Sequence, residues 1–184
     1  DFDNGIEGLN KMLPYANFPF LNVNYDFSNT ILNGKIAPYK VFEKDNVKIG
    51  VFGIGVELAG LVDKKLYAET QYNNPIIAAN NIAEHLKYNE KCHLIICLSH
   101  LGYAYKSNKV SDNVLAQETK NIDLIIGGHT HTFLDKPTGI KNKAENITLI
   151  NQVGWAGLYL GRIDFYINPL DKAFTLNNDK IGVI

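Results

Sequence analysis

Ile125-Ile126-Gly127-Gly128-His129-Thr130-His131-Thr132 runs an apolar segment into two glycines and then two imidazoles one residue apart. A buried strand delivers side chains into a cleft only at its end, and paired glycines let the backbone turn there without steric cost. Two neutral imidazoles presented together suit a divalent transition metal such as Zn, Mn, Fe or Co. A His-x-His turn can equally be solvated, so the metal reading needs a further ligand elsewhere in the chain.

Upstream, Cys92-His93-Leu94-Ile95-Ile96-Cys97-Leu98-Ser99 is a second apolar run, and it ends in His100-Leu101-Gly102, again strand, histidine, glycine. Between the two runs, Asp112 to Thr119 reads as a short helix with Ser111 or Asp112 as its N-cap. Earlier still, Val47 to Gly55 is a third apolar strand. Asn73 to Asn89 follows as a longer helix, with Pro75 in its first turn and Ile76, Ile77, Ala79, Ala83 and Leu86 on its apolar face. Strands alternating with helices predict an α/β fold with a parallel sheet. Right-handed crossovers then bring the carboxyl ends of all three strands to one edge. His100, His129 and His131 therefore converge where ligands bind in open α/β sheets, and these three are the predicted metal ligands.

The other histidines read differently, since His93 lies early in its strand and His85 on a helix, and both are expected to be packing or surface residues. Gly53-Ile54-Gly55 lacks the third glycine of a dinucleotide fingerprint. Cys92 and Cys97 are five apart in one predicted strand, so they point to opposite faces and cannot bridge each other. Asp3 is expected to be a turn or cap residue before a helix over Ile6 to Ala16. Arg162, the only arginine, is expected in an edge-strand ion pair, with a phosphate clamp as the alternative. A strand is expected over Phe18 to Asn24, and a hairpin of Pro38 to Phe42 with Val47 to Phe52 around Lys44-Asp45-Asn46. Two more strands, Ile147 to Val153 and Leu158 to Ile167, are expected to join at Gly154-Trp155-Ala156-Gly157.

The chain has 184 residues, 46% of them hydrophobic, enough to bury one sizeable core in a single domain over residues 1–184. A net charge of -1 with scattered lysines supplies no field for a nucleic-acid scaffold. No apolar run reaches membrane-spanning length, and no signal peptide is recognisable.

Asp1-Phe2-Asp3-Asn4-Gly5, Leu98-Ser99-His100-Leu101-Gly102, Gly127 to Thr132, and Asn151-Gln152-Val153-Gly154 through Leu160-Gly161 resemble, in this order, calcineurin-type metallophosphoesterases of the 5'-nucleotidase branch. The resemblance implies a metallophosphoesterase-like α/β/β/α sandwich and two divalent metal ions, with His100 and His129 on one metal and His131 on the other. It implies a nucleotide substrate and a place in the periplasm, at the cell surface or outside the cell. The family's Asp-x-His, Gly-Asp and Gly-Asn-His motifs would precede Asp1, and its catalytic histidine with them. The expectation is therefore a partial catalytic domain without its first strands, holding part of the site. Two alternatives go with it: a fold-retaining but inactive binding module, and a mononuclear zinc hydrolase using His100, His129 and His131.

Overall fold

The computed structural model of the chain describes residues 2–168, 174–176 and 182–183. Six strands form the central sheet: β1 (Tyr39–Lys44), β2 (Val47–Ile54), β3 (Leu94–Ser99), β4 (Leu124–Ile126), β5 (Thr138–Lys141) and β6 (Ile147–Asn151). Their order is β1-β2-β3-β4-β6-β5. The four inner strands are parallel, with Ile54 level with Ser99 and Leu98 level with Ile126, which in turn is level with Asn151. The outer strands β1 and β5 run antiparallel to their neighbours. Helix packing buries alternate residues of the inner strands, among them Ile95, Cys97 and Ile125, while apolar residues of the other face such as Leu98 and Ile126 are exposed among the described residues.

Three helices matter here: α1 (Gly5–Met12), α2 (Pro75–Glu84) and α3 (Asp112–Glu118). The core joins one face of the sheet, through Phe52, Ile54, Ile95, Cys97, Ile125 and Ile150, to Ala79, Ala83 and Leu86 from α2 and its continuation and to Leu115 and Ala116 of α3. Alanines at the α2 contact let that helix lie close on the strands. Asn74 caps α2, its side chain accepting from the amides of Ile76 and Ile77, and Pro75 stands at the first helical position, where a missing N–H costs nothing. The helix ends in a turn of π-helix, His85–Asn89. Cys92 and Cys97 are both free and buried.

The β1–β2 hairpin closes on a two-residue turn, Asp45 (φ 53) and Asn46 (φ 62), with Lys44 opposite Val47. Both residues belong to the types that tolerate the left-handed region such turns require. Four expectations need correction. Ile77 is 61% exposed and faces away from the core, because the helix buries the Ala79–Ala83 stripe instead. The first helix leaves α geometry at Met12, and Leu13–Tyr15 continue as a 3-10 turn with Pro14 inside it. Phe18 to Asn24 is not a strand. Asn22 Oδ1 accepts from the amides of Asn24 and Tyr25, and this side-chain turn takes the place of a ladder. What remains is a bridge between Leu21 and Ala37 and one amide bond from Val23 to the Gly53 carbonyl. Leu158 to Ile167 is likewise interrupted, with only Gly161–Arg162 and Phe165–Ile167 extended and paired, while β6 stops at Asn151.

Asn24 ties the segment before β1 to the end of β2. Its side chain donates to the Gly55 carbonyl and accepts from the Gly55 amide, both at 2.8 Å, in a fully buried position. The approach is close enough that a Cβ on Gly53 would overlap the Leu21 carbonyl oxygen.

Candidate metal centre

The carboxyl ends of β2, β3, β4 and β6 lie on one edge of the sheet, and the loops that leave them carry the three predicted ligands. His100 follows β3 directly, its amide donating to the Ile54 carbonyl at 2.9 Å. His129 follows β4 across Gly127 and Gly128. The His100 and His129 rings meet edge to face, 5.1 Å between centroids. Both line a cavity of about 740 Å3 with Phe2, Asp3, Leu58 and Ile126. His131 stacks on Trp155, with centroids 5.7 Å apart and planes 11° apart, and lies near enough to the His100 and His129 rings to act on them electrostatically. Among the described residues no three His, Cys, Asp or Glu side chains converge closely enough to hold a metal by themselves.

Burial lowers the pKa of His100 and of His129, and the mutual proximity of the imidazoles, with Lys109 near His129, adds to the shift. Both rings are therefore held towards the neutral form, which is the ligating one. His129 (φ 70) and His131 (φ 52) both sit in the left-handed region, at a cost of about 1–2 kcal/mol each for residues with a Cβ. Strain of this kind persists where the surroundings over-determine it, and it collects at ligand sites.

The surroundings are a buried polar framework under the loops. Gln152, 1% exposed, donates from Nε2 to the Gly128 carbonyl at 2.7 Å, and its Oε1 accepts from the Thr132 amide and, at 3.1 Å, from the Thr130 hydroxyl. Thr130 Oγ1 in turn accepts from the Tyr103 amide at 2.9 Å, linking this loop to the one after His100. On the β3 side, Ser99 Oγ donates to Asp112 Oδ1 at 2.5 Å and accepts from the Leu101 amide at 3.1 Å. Asp112 is fully buried at the start of α3, its Oδ2 has no partner, and burial pushes its pKa up to about 7. A Cβ on Gly127 would overlap that oxygen, so the first glycine of the pair serves close approach.

Ser111 caps α3 through its hydroxyl, which leaves Asp112 to point inward to Ser99; sequence reasoning had Asp112 only as a cap candidate. Gln152 was missed as well. The signal was there: a polar pair, Asn151-Gln152, closes an apolar strand at the same sheet edge that carries the histidines. His85 contacts Tyr39 and Glu90, and His93 Nδ1 accepts from the Lys48 amide, both in structural roles away from this edge. Asp3 lies in the turn before α1, closed by the Gly5 amide on the Phe2 carbonyl, and the cap position itself belongs to Asn4. Arg162 pairs with Asp164 at 3.0 Å in an exposed position.

A family profile for calcineurin-like phosphoesterase matches residues 4–133, more than half of the chain. The chain belongs to the calcineurin-like phosphoesterases. Within known members of this wider group, it is 33% identical over 180 residues to the trifunctional nucleotide phosphoesterase protein YfkN of Bacillus subtilis, covering 89% of this chain and 12% of that protein. It is 30% identical over 186 residues to a 5'-nucleotidase of Vibrio parahaemolyticus, covering 90% of this chain and 33% of that one. The fold matches a 5'-nucleotidase precursor from Thermus thermophilus with a TM-score of 0.83 at 24% identity, over 96% of this chain and 36% of the other. This phosphoesterase chain thus spans a third or less of the length of these two relatives.

Calcineurin-like phosphoesterases use divalent metals, and the donors described here fit part of such a centre. Two imidazoles held towards the neutral form and in contact suit a transition-metal ion. The Asp3 carboxylate lines the same cavity, yet among the described residues no carboxylate joins the imidazoles in a group of three donors. Two adjacent dications without anionic ligands would repel each other uncompensated.

Proposed function

We propose that the chain is the metal-binding portion of a phosphoester hydrolase acting on nucleoside monophosphates or related nucleotides. The observation that carries this reading is the contact of the His100 and His129 rings at adjoining strand ends. With the family resemblance, that pairing supports two metals, with His100 and His129 on one and His131 on the other, and the lack of three converging donors among the described residues speaks against a mononuclear three-histidine site. The remaining ligands, carboxylates among them, are proposed to come from outside the described residues, so this chain supplies part of the site. The nucleotide substrate rests on the relatives named for nucleotides. Export from the cytoplasm rests on family resemblance; among the described residues no helix is long and apolar enough to cross a membrane.

When bound, the metals would neutralise phosphoryl oxygens and supply a water of lowered pKa. The chain's own part is to keep His100 and His129 deprotonated by burial and to hold the His129–His131 turn in one conformation. Ser99 and Asp112 hold the stem of the His100 loop, which fixes where that ligand stands.

The test is manganese-dependent phosphate release from AMP by the complete protein. His129→Ala is expected to lower it by about a hundredfold or more, whereas His85→Ala leaves it near wild type. Equal effects of the two substitutions would sink the assignment.

A further inference from the structure

We propose that Gln152 is a positioning residue that sets the separation of His129 and His131, and so decides whether the two imidazoles can serve adjacent metal ions at once. The inference rests on the metal reading above and extends it to a residue that touches no ligand position itself.

Three observations carry it. The Gln152 amide bridges the Gly128 carbonyl and the Thr132 amide, the two backbone groups that bracket His129-Thr130-His131. Both histidines inside the bracket have positive φ, a conformation the chain abandons unless something holds it. The amide is buried, and its orientation is fixed, because a flipped group would set an NH2 against the Thr132 N–H and an oxygen against the Gly128 carbonyl. The third bond runs from the Thr130 hydroxyl to Gln152 Oε1, so the residue between the two histidines is tied to the same amide. Thr130 passes the constraint on, since its oxygen also accepts from the Tyr103 amide in the loop that follows His100. One side chain from β6's end thereby references the loops of all three histidines to a common point.

This arrangement predicts a specific failure. In Gln152→Glu the side-chain length is kept and the donor to Gly128 is replaced by an oxygen facing an oxygen. The turn should relax out of its left-handed conformation while the core stays intact. Supporting groups of this kind typically change metal affinity by about 10- to 100-fold.

The experiment is a Zn2+ titration of the full metal-free chain, followed by calorimetry and by the imidazole 15N resonances. Melting of each variant is recorded alongside. In the wild type, His100 and His129 resonances should move on zinc addition, and those of His85 and His93 should not. Gln152→Glu should bind zinc at least about tenfold more weakly at an unchanged stoichiometry of folded protein. Because Gln152→Glu carries a risk of misfolding, Thr130→Val and Thr130→Ser form a second pair. The valine variant loses the hydroxyl and should weaken zinc binding, and the serine variant should restore wild-type affinity. Gln152→Glu or Thr130→Val binding zinc as the wild type does would overturn the proposal and leave the metal reading standing. A wild-type chain whose His100 and His129 resonances ignore zinc would overturn the metal reading, and this proposal with it.

Discussion

Replacing Gly127 with alanine would place a methyl group onto Asp112 Oδ2 and 3.0 Å from Gln152 Nε2, in a region with no room on either side. The carboxylate is the part that must give. Swinging it away costs its bond to Ser99, about 1.5–3 kcal/mol for a charged acceptor, and the crowding itself adds about 1–3 kcal/mol. A total near 3–5 kcal/mol is large for one methyl. For a chain of this length it corresponds to a fall in melting temperature of about 6–20 °C. Urea unfolding at pH 8, where Asp112 is mostly ionised, measures it directly. The same substitution in an Asp112→Ala background meets a methyl where the carboxylate was, and it should then cost less than about 1 kcal/mol. A coupling of about 2 kcal/mol or more between the two positions is therefore expected from the double-mutant cycle. Additive effects would refute the reasoning, because they would mean that Gly127 and Asp112 do not compete for one space.

The raised pKa of Asp112 carries its own sign. Folding favours the protonated form, so the native chain binds more protons than the unfolded one between the ordinary carboxylate pKa and about 7, and stability falls as pH rises through that window. Between pH 5 and 7 the loss is roughly 2–3 kcal/mol. Asp112→Asn should flatten that slope in urea titrations, and an unchanged slope would assign the proton uptake elsewhere, with Asp123, raised to about 6 by burial, next in line. Asn24→Ala should lower stability by about 2–3 kcal/mol in thermal unfolding, since it leaves the amide and carbonyl of Gly55 buried without partners. A change below about 0.5 kcal/mol would mean that water replaces the side chain there.

The sheet interior was legible because short apolar runs alternating with helical segments, as Val47–Ile54 and Leu94–Ser99 do, are the pattern of parallel inner strands. The Asp45-Asn46 turn was legible from the left-handed tolerance of its residues. Given parallel strands with right-handed crossovers, the strand-end rule carried His100 and His129 to one edge. Phe18 to Asn24 defeated the same reasoning because its alternating apolar pattern says nothing of Asn22, whose side chain competes for the backbone amides. Ile77 misled because periodicity marks a stripe wider than the one a neighbour covers. Asp112 and Gln152 were hidden for a common reason. A carboxylate at a helix start and an amide after a strand have ordinary surface explanations, and only the packing of α3 and β6 beneath the glycine turn turns them into the framework of the site.

The antiparallel rims of the sheet have a consequence in the order of folding. β1 with β2, and β5 with β6, are hairpins whose strands are neighbours in sequence, and such contacts close in about 1–10 μs. The pairings of β2 with β3, β3 with β4 and β4 with β6 each wait on a crossover, and loop-closure entropy must be met before any of them gains stability. All three histidines leave from strands that take part only in those late pairings at their carboxyl ends. Contact between the His100 and His129 rings is thus expected among the last events of folding, so a partly folded chain would form its rim hairpins transiently without bringing the two rings together.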